Sequence, residues 1–371
     1  MEDQGVLGTI WNKEATRLLS LFGWNTIGDY DMDVQGKDDK QYGIDTLITF
    51  KTPLKNNKQI AILEAKRYET KNFNKSLLQG WIERLDKKLI ELRNSEKFQE
   101  RFPDLSECST LDMGIIAIWF HDTRNYYDFH SKFIEILQNI SVSGRTRKVG
   151  MNKIFVIDNH KILRLCSMHK SIEAYESDND DSKIFFYYPP ILIEDKPIVR
   201  EQVLTIEFIF SDIVLAEARK DKVTVENIVF YFGKLEIPCF HQLKSLLTLC
   251  SFLDTDKPLL LYIYQEDDEF RKIEPDIKRI FENVSFRIKS MDNLFDLPGY
   301  IKDIEIRVGE KQKNLPIIIW INKPNRVMLS IISPTGEIID NMEAKRHLFY
   351  KCPARGFSKR LSTYIIRKRR G

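Results

Sequence analysis

Glu14, Asp45, Glu64 and Lys66 have the residue types and spacing to hold a hard divalent cation beside a phosphodiester. Asp45 follows Gly43-Ile44 at the start of one apolar stretch, and Glu64-Ala65-Lys66 closes the next, with eighteen residues between Asp45 and Glu64. Side chains at i and i+2 of a strand share a face. Glu64 and Lys66 therefore project together, while Ala61, Leu63 and Ala65 face the opposite way into a core. Ile60 and Ile62 share the face of Glu64, so that face is apolar until charge appears at the end of the strand. A carboxylate and an ammonium closing a buried strand are costly unless something uses them. Mg²⁺ takes octahedral oxygen ligands and is usually held by one or two carboxylates with phosphate oxygens. The Ala65 carbonyl can add a protein oxygen. Such an ion lowers the pKa of a bound water and stabilises transition-state charge, and Lys66 can position that water or neutralise the phosphate.

The elements that must carry these groups follow from hydrophobic periodicity. Ile10, Trp11, Ala15, Leu18, Leu19 and Phe22 predict a first helix from Gly8 to Phe22, stopped by Gly23. A polar loop, Asp29 to Gln41, precedes two strands, Ile44–Lys51 and Gln59–Lys66, joined as a hairpin. One long helix is expected from Phe73 to Phe98, then strand Met113–Phe120, helix Tyr127–Ile140 and strand Lys153–Ile157. The acidic stretch Tyr175 to Ser182 reads as a linker. Beyond it, Ile184–Tyr188 and Val203–Phe210 read as extended. Strands at 228–232, 259–264, 284–288 and 317–321 alternate with helices at 240–252, 270–282 and 294–301, which predicts βαβ units. Val327 to Ile339 reads as a closing hairpin. The expected division is 1–172, a linker at 173–183, and 184–371.

The Asp45 and Glu64-Ala65-Lys66 pattern, with the order helix, hairpin, helix, strand, resembles the PD-(D/E)xK, or restriction-endonuclease-like, nuclease superfamily over roughly residues 5 to 160. Asp45 stands in a Gly-Ile-Asp context where the family has Pro-Asp. The resemblance implies an α/β fold with an N-terminal core of mixed sheet flanked by helices, here joined to a second C-terminal α/β domain. It implies a Mg²⁺-dependent endonuclease acting on DNA, with Mn²⁺ able to substitute. Asp45, Glu64 and the Ala65 carbonyl are then metal ligands, with Lys66 assisting. Many members complete the site with an acid on the first helix, matched by Glu14 on the inward stripe. Several branches use a Gln on the helix after the motif, matched by Gln79. Stand-alone nucleases of this kind commonly serve prokaryotic defence against phage or plasmid DNA.

The triplet alone has little specificity, because Glu343-Ala344-Lys345 repeats it and Glu217-Ala218-Arg219 nearly does. Neither follows an apolar strand with an Asp correctly spaced upstream. Both read as surface charge, the first opening a helix and the second in a charged connection. An RNase using the same centre, and a non-catalytic nucleic-acid-binding or assembly subunit retaining the fold, remain alternatives.

At 371 residues, 43% hydrophobic and 30% charged, the chain can build about two ordinary cores. No signal-like segment or membrane-length apolar run is evident, and five cysteines without a CxxC pair suit a reducing cytoplasm. Net charge is +3, but ten Lys/Arg and no acid lie from Ala344 to Gly371. That basic end, and the basic turn Ser143 to Lys148, are candidate phosphate contacts. The C-terminal half has no glycine-rich nucleotide motif. Self-association or partner docking through it stays open.

Overall fold

The computed structural model describes residues 6–53, 55–122, 127–140, 152–179, 181–189, 198–253, 257–265, 270–281 and 284–290, and the strand backbone of 317–323, 326–332 and 338–344. Two compact units form: Met1–Phe120 with Tyr127–Asp292, and His121–Tyr126 with Asn293–Gly371.

The first unit opens with α1 (Val6–Ser20), which buries Trp11, Ala15, Leu18 and Leu19. Gly23 ends it with φ +82, and the Trp24 N–H closes the turn on the Leu19 carbonyl at 3.4 Å. In chain order follow β1 (Asn25–Ile27), β2 (Met32–Gln35), β3 (Gln41–Ile44), β4 (Thr46–Phe50), β5 (Gln59–Tyr68), α2 (Lys75–Arg93), α3 (Glu96–Arg101), β6 (Met113–Phe120), α4 (Tyr127–Gln138), β7 (Lys153–Ile157) and α5 (Asn159–Asp178). The sheet order is β1-β4-β5-β6-β7, antiparallel up to β5 and parallel from β5 to β7. This is the mixed, helix-flanked core expected.

Register sorts the two faces. Leu63, Ala65 and Ala117 lie on the side of α1 and α5, where Trp11, Ala15, Leu18, Ala117, Ile162 and Leu165 border one small apolar cavity. Glu64, Lys66 and Tyr68 lie on the side of α2 and α4. There Tyr68 packs edge-on against Trp81 at 5.4 Å, and a methyl on Gly114 would meet Leu85 at 2.7 Å. All eight residues of β6 are buried, as befits a strand covered on both faces.

The second sheet of this unit is built from β8 (Lys183–Tyr188), β9 (Val199–Glu201), β10 (Ile213–Lys220), β11 (Val223–Tyr231), β12 (Leu259–Gln265) and β13 (Val284–Ser290). Its order is β13-β12-β11-β10-β8-β9. The parallel run β11-β12-β13 is joined by α7 (Ile237–Leu249) and α8 (Phe270–Ile280), the βαβ pattern expected. In the second unit, β14 (Ile317–Lys323), β15 (Arg326–Ile332) and β16 (Ile338–Ala344) form an antiparallel sheet. Among the described residues no helix is long and apolar enough to cross a membrane.

Several expectations change. The single helix at 73–98 breaks at Asn94 and Ser95. Ser95 caps α3 by accepting the Phe98 N–H, and its own hydroxyl donates to the Gln35 carbonyl at 2.6 Å. The loop at 29–41 contains strand β2 and the turn that leads into β3. Val203–Phe210 holds a short helix, α6 (Ile206–Phe210), rather than a strand. Residues 173–178, assigned to a linker, are the last turns of α5. That helix gave little amphipathic signal because it is apolar on more than one side, burying Ile162, Leu163, Leu165, Cys166 and Met168. Within those turns Glu176 accepts from the Ile184 N–H at 2.9 Å and pairs with Lys183 at 2.7 Å. Glu217-Ala218-Arg219 lies in β10, where Glu217 is buried with Arg200 and Thr224. Its surface assignment is therefore corrected. Glu343 and Ala344 end strand β16 instead of opening a helix. The helix expected at 294–301, the turn at Ser143–Lys148 and the basic end after Ala344 lie outside the described residues.

Gly23 carries two constraints: a left-handed φ, and Val203 Cγ2 at 2.8 Å from where a Cβ would sit. Gly23→Ala should destabilise the protein by about 1–2 kcal/mol. Urea unfolding checks this, the expected result being a lower midpoint at unchanged m value.

Candidate active site

Asp45 sits in the break between β3 and β4, where the β4–β5 ladder ends at the pair Thr46–Leu63. Beyond that pair β4 gives β5 no backbone partner. The Asp45 carboxylate takes that role, its Oδ2 accepting the Ala65 N–H at 2.8 Å. The Asp45 carbonyl, also outside the ladder, accepts from Asn12 Nδ2 at 2.7 Å and from the Asp31 N–H at 3.0 Å. Asn12 Oδ1 in turn accepts from the Thr46 hydroxyl at 2.6 Å. So α1 clamps the break from one side of the sheet.

On the other side, Glu64 and Lys66 project together as their spacing requires. Lys66 Nζ is 3.2 Å from Glu64 Oε2 and 3.8 Å from Asp45 Oδ2. A fourth charge comes from α2: Lys88 Nζ donates to Glu64 Oε1 and to the Gly43 carbonyl. Two carboxylates and two ammonium groups thus share one half-buried cluster. Burial, with the Glu64 charge next, pushes Asp45 up to about 6 despite Lys66, the Ala65 N–H and Lys88. Burial also disfavours the Glu64 anion, but Lys88 and Lys66 outweigh it and hold Glu64 below its ordinary value.

The remaining expected residues fall in different places. Glu14 is buried within α1, two positions past Asn12. Among the described residues no three His, Cys, Asp or Glu side chains converge as a metal-binding group, so Glu14 does not form a compact triad with Asp45 and Glu64. Gln79 donates to Glu83 Oε1 at 2.7 Å along its own helix. It lies nine residues before Lys88, about 13 Å along α2. Lys88 and Asn12 were the participants not anticipated. Both carry a readable signal, a polar side chain on a buried helical stripe. Lys88 falls three residues after Leu85 and four before Leu92, both fully buried.

The two carboxylates should respond oppositely to neutralisation. Between the ordinary value of 3.8 and about 6, folded Asp45 holds a proton that the unfolded chain releases, so stability falls as pH rises through that window. Asp45→Asn should therefore stabilise the metal-free protein at pH 7.5 by about 1–3 kcal/mol, a gain that fades toward pH 4. Glu64 is depressed, so its contribution is present above its ordinary value and lost as pH falls. Glu64→Gln should destabilise at pH 7.5 by leaving Lys88 and Lys66 without their shared carboxylate. Thermal melts across pH 4–8 check both signs.

Residues 1–161 match the family model described as the GAPS4 protein PD-(D/E)XK nuclease domain. No curated protein matches the chain. The matched segment spans the β1-β4-β5-β6-β7 sheet, its helices α1 to α4, and the Asp45, Glu64 and Lys66 cluster. Over those residues the N-terminal part of this chain is similar to a PD-(D/E)XK nuclease domain.

Proposed function

We propose that this domain hydrolyses phosphodiester bonds of DNA with a divalent cation, Mg²⁺ or in its place Mn²⁺, held by Asp45 and Glu64. The observation that carries this reading is the convergence of both carboxylates on one ammonium: each has an oxygen within 3.8 Å of Lys66 Nζ. Such a set of hard oxygen donors suits a small hard cation. Ala65 suits it too. In an extended strand a residue's N–H and C=O point to the same side, and its N–H points at Asp45. Glu14, on the α1 side of the sheet and apart from the two carboxylates, is given no ligand role. Gln79 is given no ligand role, since Lys88 takes the α2 position at the carboxylates.

A cation bound there supplies Lewis acidity at the phosphoryl group and a more acidic attacking water. The rest falls to the protein. Lys66 neutralises the scissile phosphate and orients the nucleophile. Asn12 and the Asp31 N–H hold the backbone from which Asp45 projects. The biological setting proposed is cytoplasmic defence against phage or plasmid DNA, with self-association or a protein partner through the C-terminal part.

The test is purified protein with plasmid, linear DNA and RNA, in Mg²⁺, Mn²⁺ or EDTA. Cleavage of DNA should require metal. Asp45→Ala and Glu64→Ala should each lower it at least about 100-fold, or 2.7 kcal/mol of barrier. Lys66→Ala should slow single-turnover cleavage at saturating DNA more than it weakens binding. Cleavage of RNA alone would replace the substrate. No cleavage of any nucleic acid would favour a binding subunit.

The basic segment after Ala344 is assigned nonspecific phosphate affinity. Deleting Arg367 to Gly371 should flatten the slope of log K against log salt by roughly one to three units, at about 0.9 per phosphate contact. An unchanged slope with altered molecular mass in solution would assign that segment to protein association.

A further inference from the structure

Lys88 is the member of the charged cluster that the strand pair does not supply. Its side chain is 12% exposed, and Nζ donates to Glu64 Oε1 and to the Gly43 carbonyl. Lys66 engages the other carboxylate oxygen, Oε2, at 3.2 Å. Both Glu64 oxygens are thus engaged by ammonium groups, and two negative charges face two positive ones. Lys88 has a carboxylate oxygen and a main-chain carbonyl as partners, the oxygen types that a hard cation takes.

We propose that Lys88 is a tethered counter-cation of the metal-free site: it holds the Glu64 oxygen that a divalent ion needs, and it must leave when the ion enters. This inference rests on the metal-dependent reading above. In the metal-free protein Lys88 offsets the repulsion between Asp45 and Glu64 and the cost of burying them. With a divalent ion added and Lys88 still in place, the cluster would carry two net positive charges, so ion and lysine compete. A phosphodiester brings negative charge to the same place and gives the displaced ammonium a new partner. The flexible four-carbon stem of lysine permits that move without moving α2. Lys88 thereby makes metal loading weak in the absence of nucleic acid and stronger in its presence, and by reciprocity makes nucleic-acid binding metal-dependent.

Two measurements on the full chain without DNA test this. In the first, Mn²⁺ binding is titrated by electron paramagnetic resonance for wild type, Lys88→Met, Lys88→Gln and Glu64→Ala, with thermal melts to establish folding. The Lys88 variants should bind Mn²⁺ about tenfold more tightly than wild type, or tighter still, and Glu64→Ala should lose the site. Wild-type binding that Glu64→Ala abolishes but the Lys88 variants leave unchanged or weaken would overturn the inference and leave the metal site intact. Binding insensitive to Glu64→Ala, or absent from every variant, would overturn both. The second measurement needs no substitution: wild type is briefly treated with an amine-acylating reagent, with and without Mn²⁺, and modification of Lys88 is read by mass spectrometry. Lys88 should be protected without metal and become several-fold more reactive with it. Equal modification in the two conditions would overturn the inference even if the variants fail to fold.

Discussion

The N-terminal domain is organised around the parting of β4 from β5 after the pair Thr46–Leu63. Every buried backbone group must find a partner. At this point the ladder stops while β5 continues through Tyr68 against β6. The Asp45 carboxylate caps the freed Ala65 N–H, and Asn12 with the Asp31 N–H caps the freed Asp45 carbonyl. Opening the sheet there creates a notch whose walls are a carboxylate, a main-chain carbonyl and the side chains that β5 projects next. The core, the clamp from α1 and the charged cluster on the α2 side all meet at this one irregularity.

Having opened, the notch must be kept electrically balanced. Two carboxylates in a half-buried space repel each other and lose solvation. The protein answers with an uneven distribution of cations. Glu64 receives both Lys66 and Lys88 and stays ionised, while Asp45 receives less and titrates near pH 6. One acid is thus a firm anion and the other a strained one that gains from an added positive charge. That asymmetry costs stability.

A near copy of the motif elsewhere in the fold shows what makes the difference. Glu217-Ala218-Arg219 lies in β10, flanked by β11 on one side and β8 on the other, so its backbone is paired along both edges. Glu217 is fully enclosed by Arg200 and Thr224, with Arg200 Nη2 at 3.0 Å from Oε1 and Thr224 Oγ1 at 2.6 Å from Oε2. No strand parts there, so the carboxylate belongs to a closed ion pair of the sheet interior. Helix α5 shows the same dependence on context at a larger scale. Leu165 borders the cavity under β6 and β7, while Ser171 accepts a hydrogen bond from the Tyr264 hydroxyl of the second sheet at 2.8 Å. The last turns of this helix carry the exposed Glu173, Ser177 and Asp178 and no apolar run, which is why they read as a linker.

The sequence by itself determined the strands β5 and β6, the helices α1 and α2, the mixed sheet and the joint presence of Asp45, Glu64 and Lys66. Those features rest on local rules: a period of two or 3.6, and charge where an apolar strand ends. The tertiary structure alone decided which triplet sits at a parted ladder, because strand pairing joins residues far apart in sequence. It also decided that α2 meets Glu64 through Lys88 rather than Gln79. Both residues lie on the same helix, and only the crossing of that helix over β5 selects which level of it reaches the notch. Glu14 was legible as an inward acid, yet its distance from the other carboxylates depends on how α1 packs on the opposite face of the sheet. Side-chain convergence of that kind depends on packing between layers, which no local period encodes.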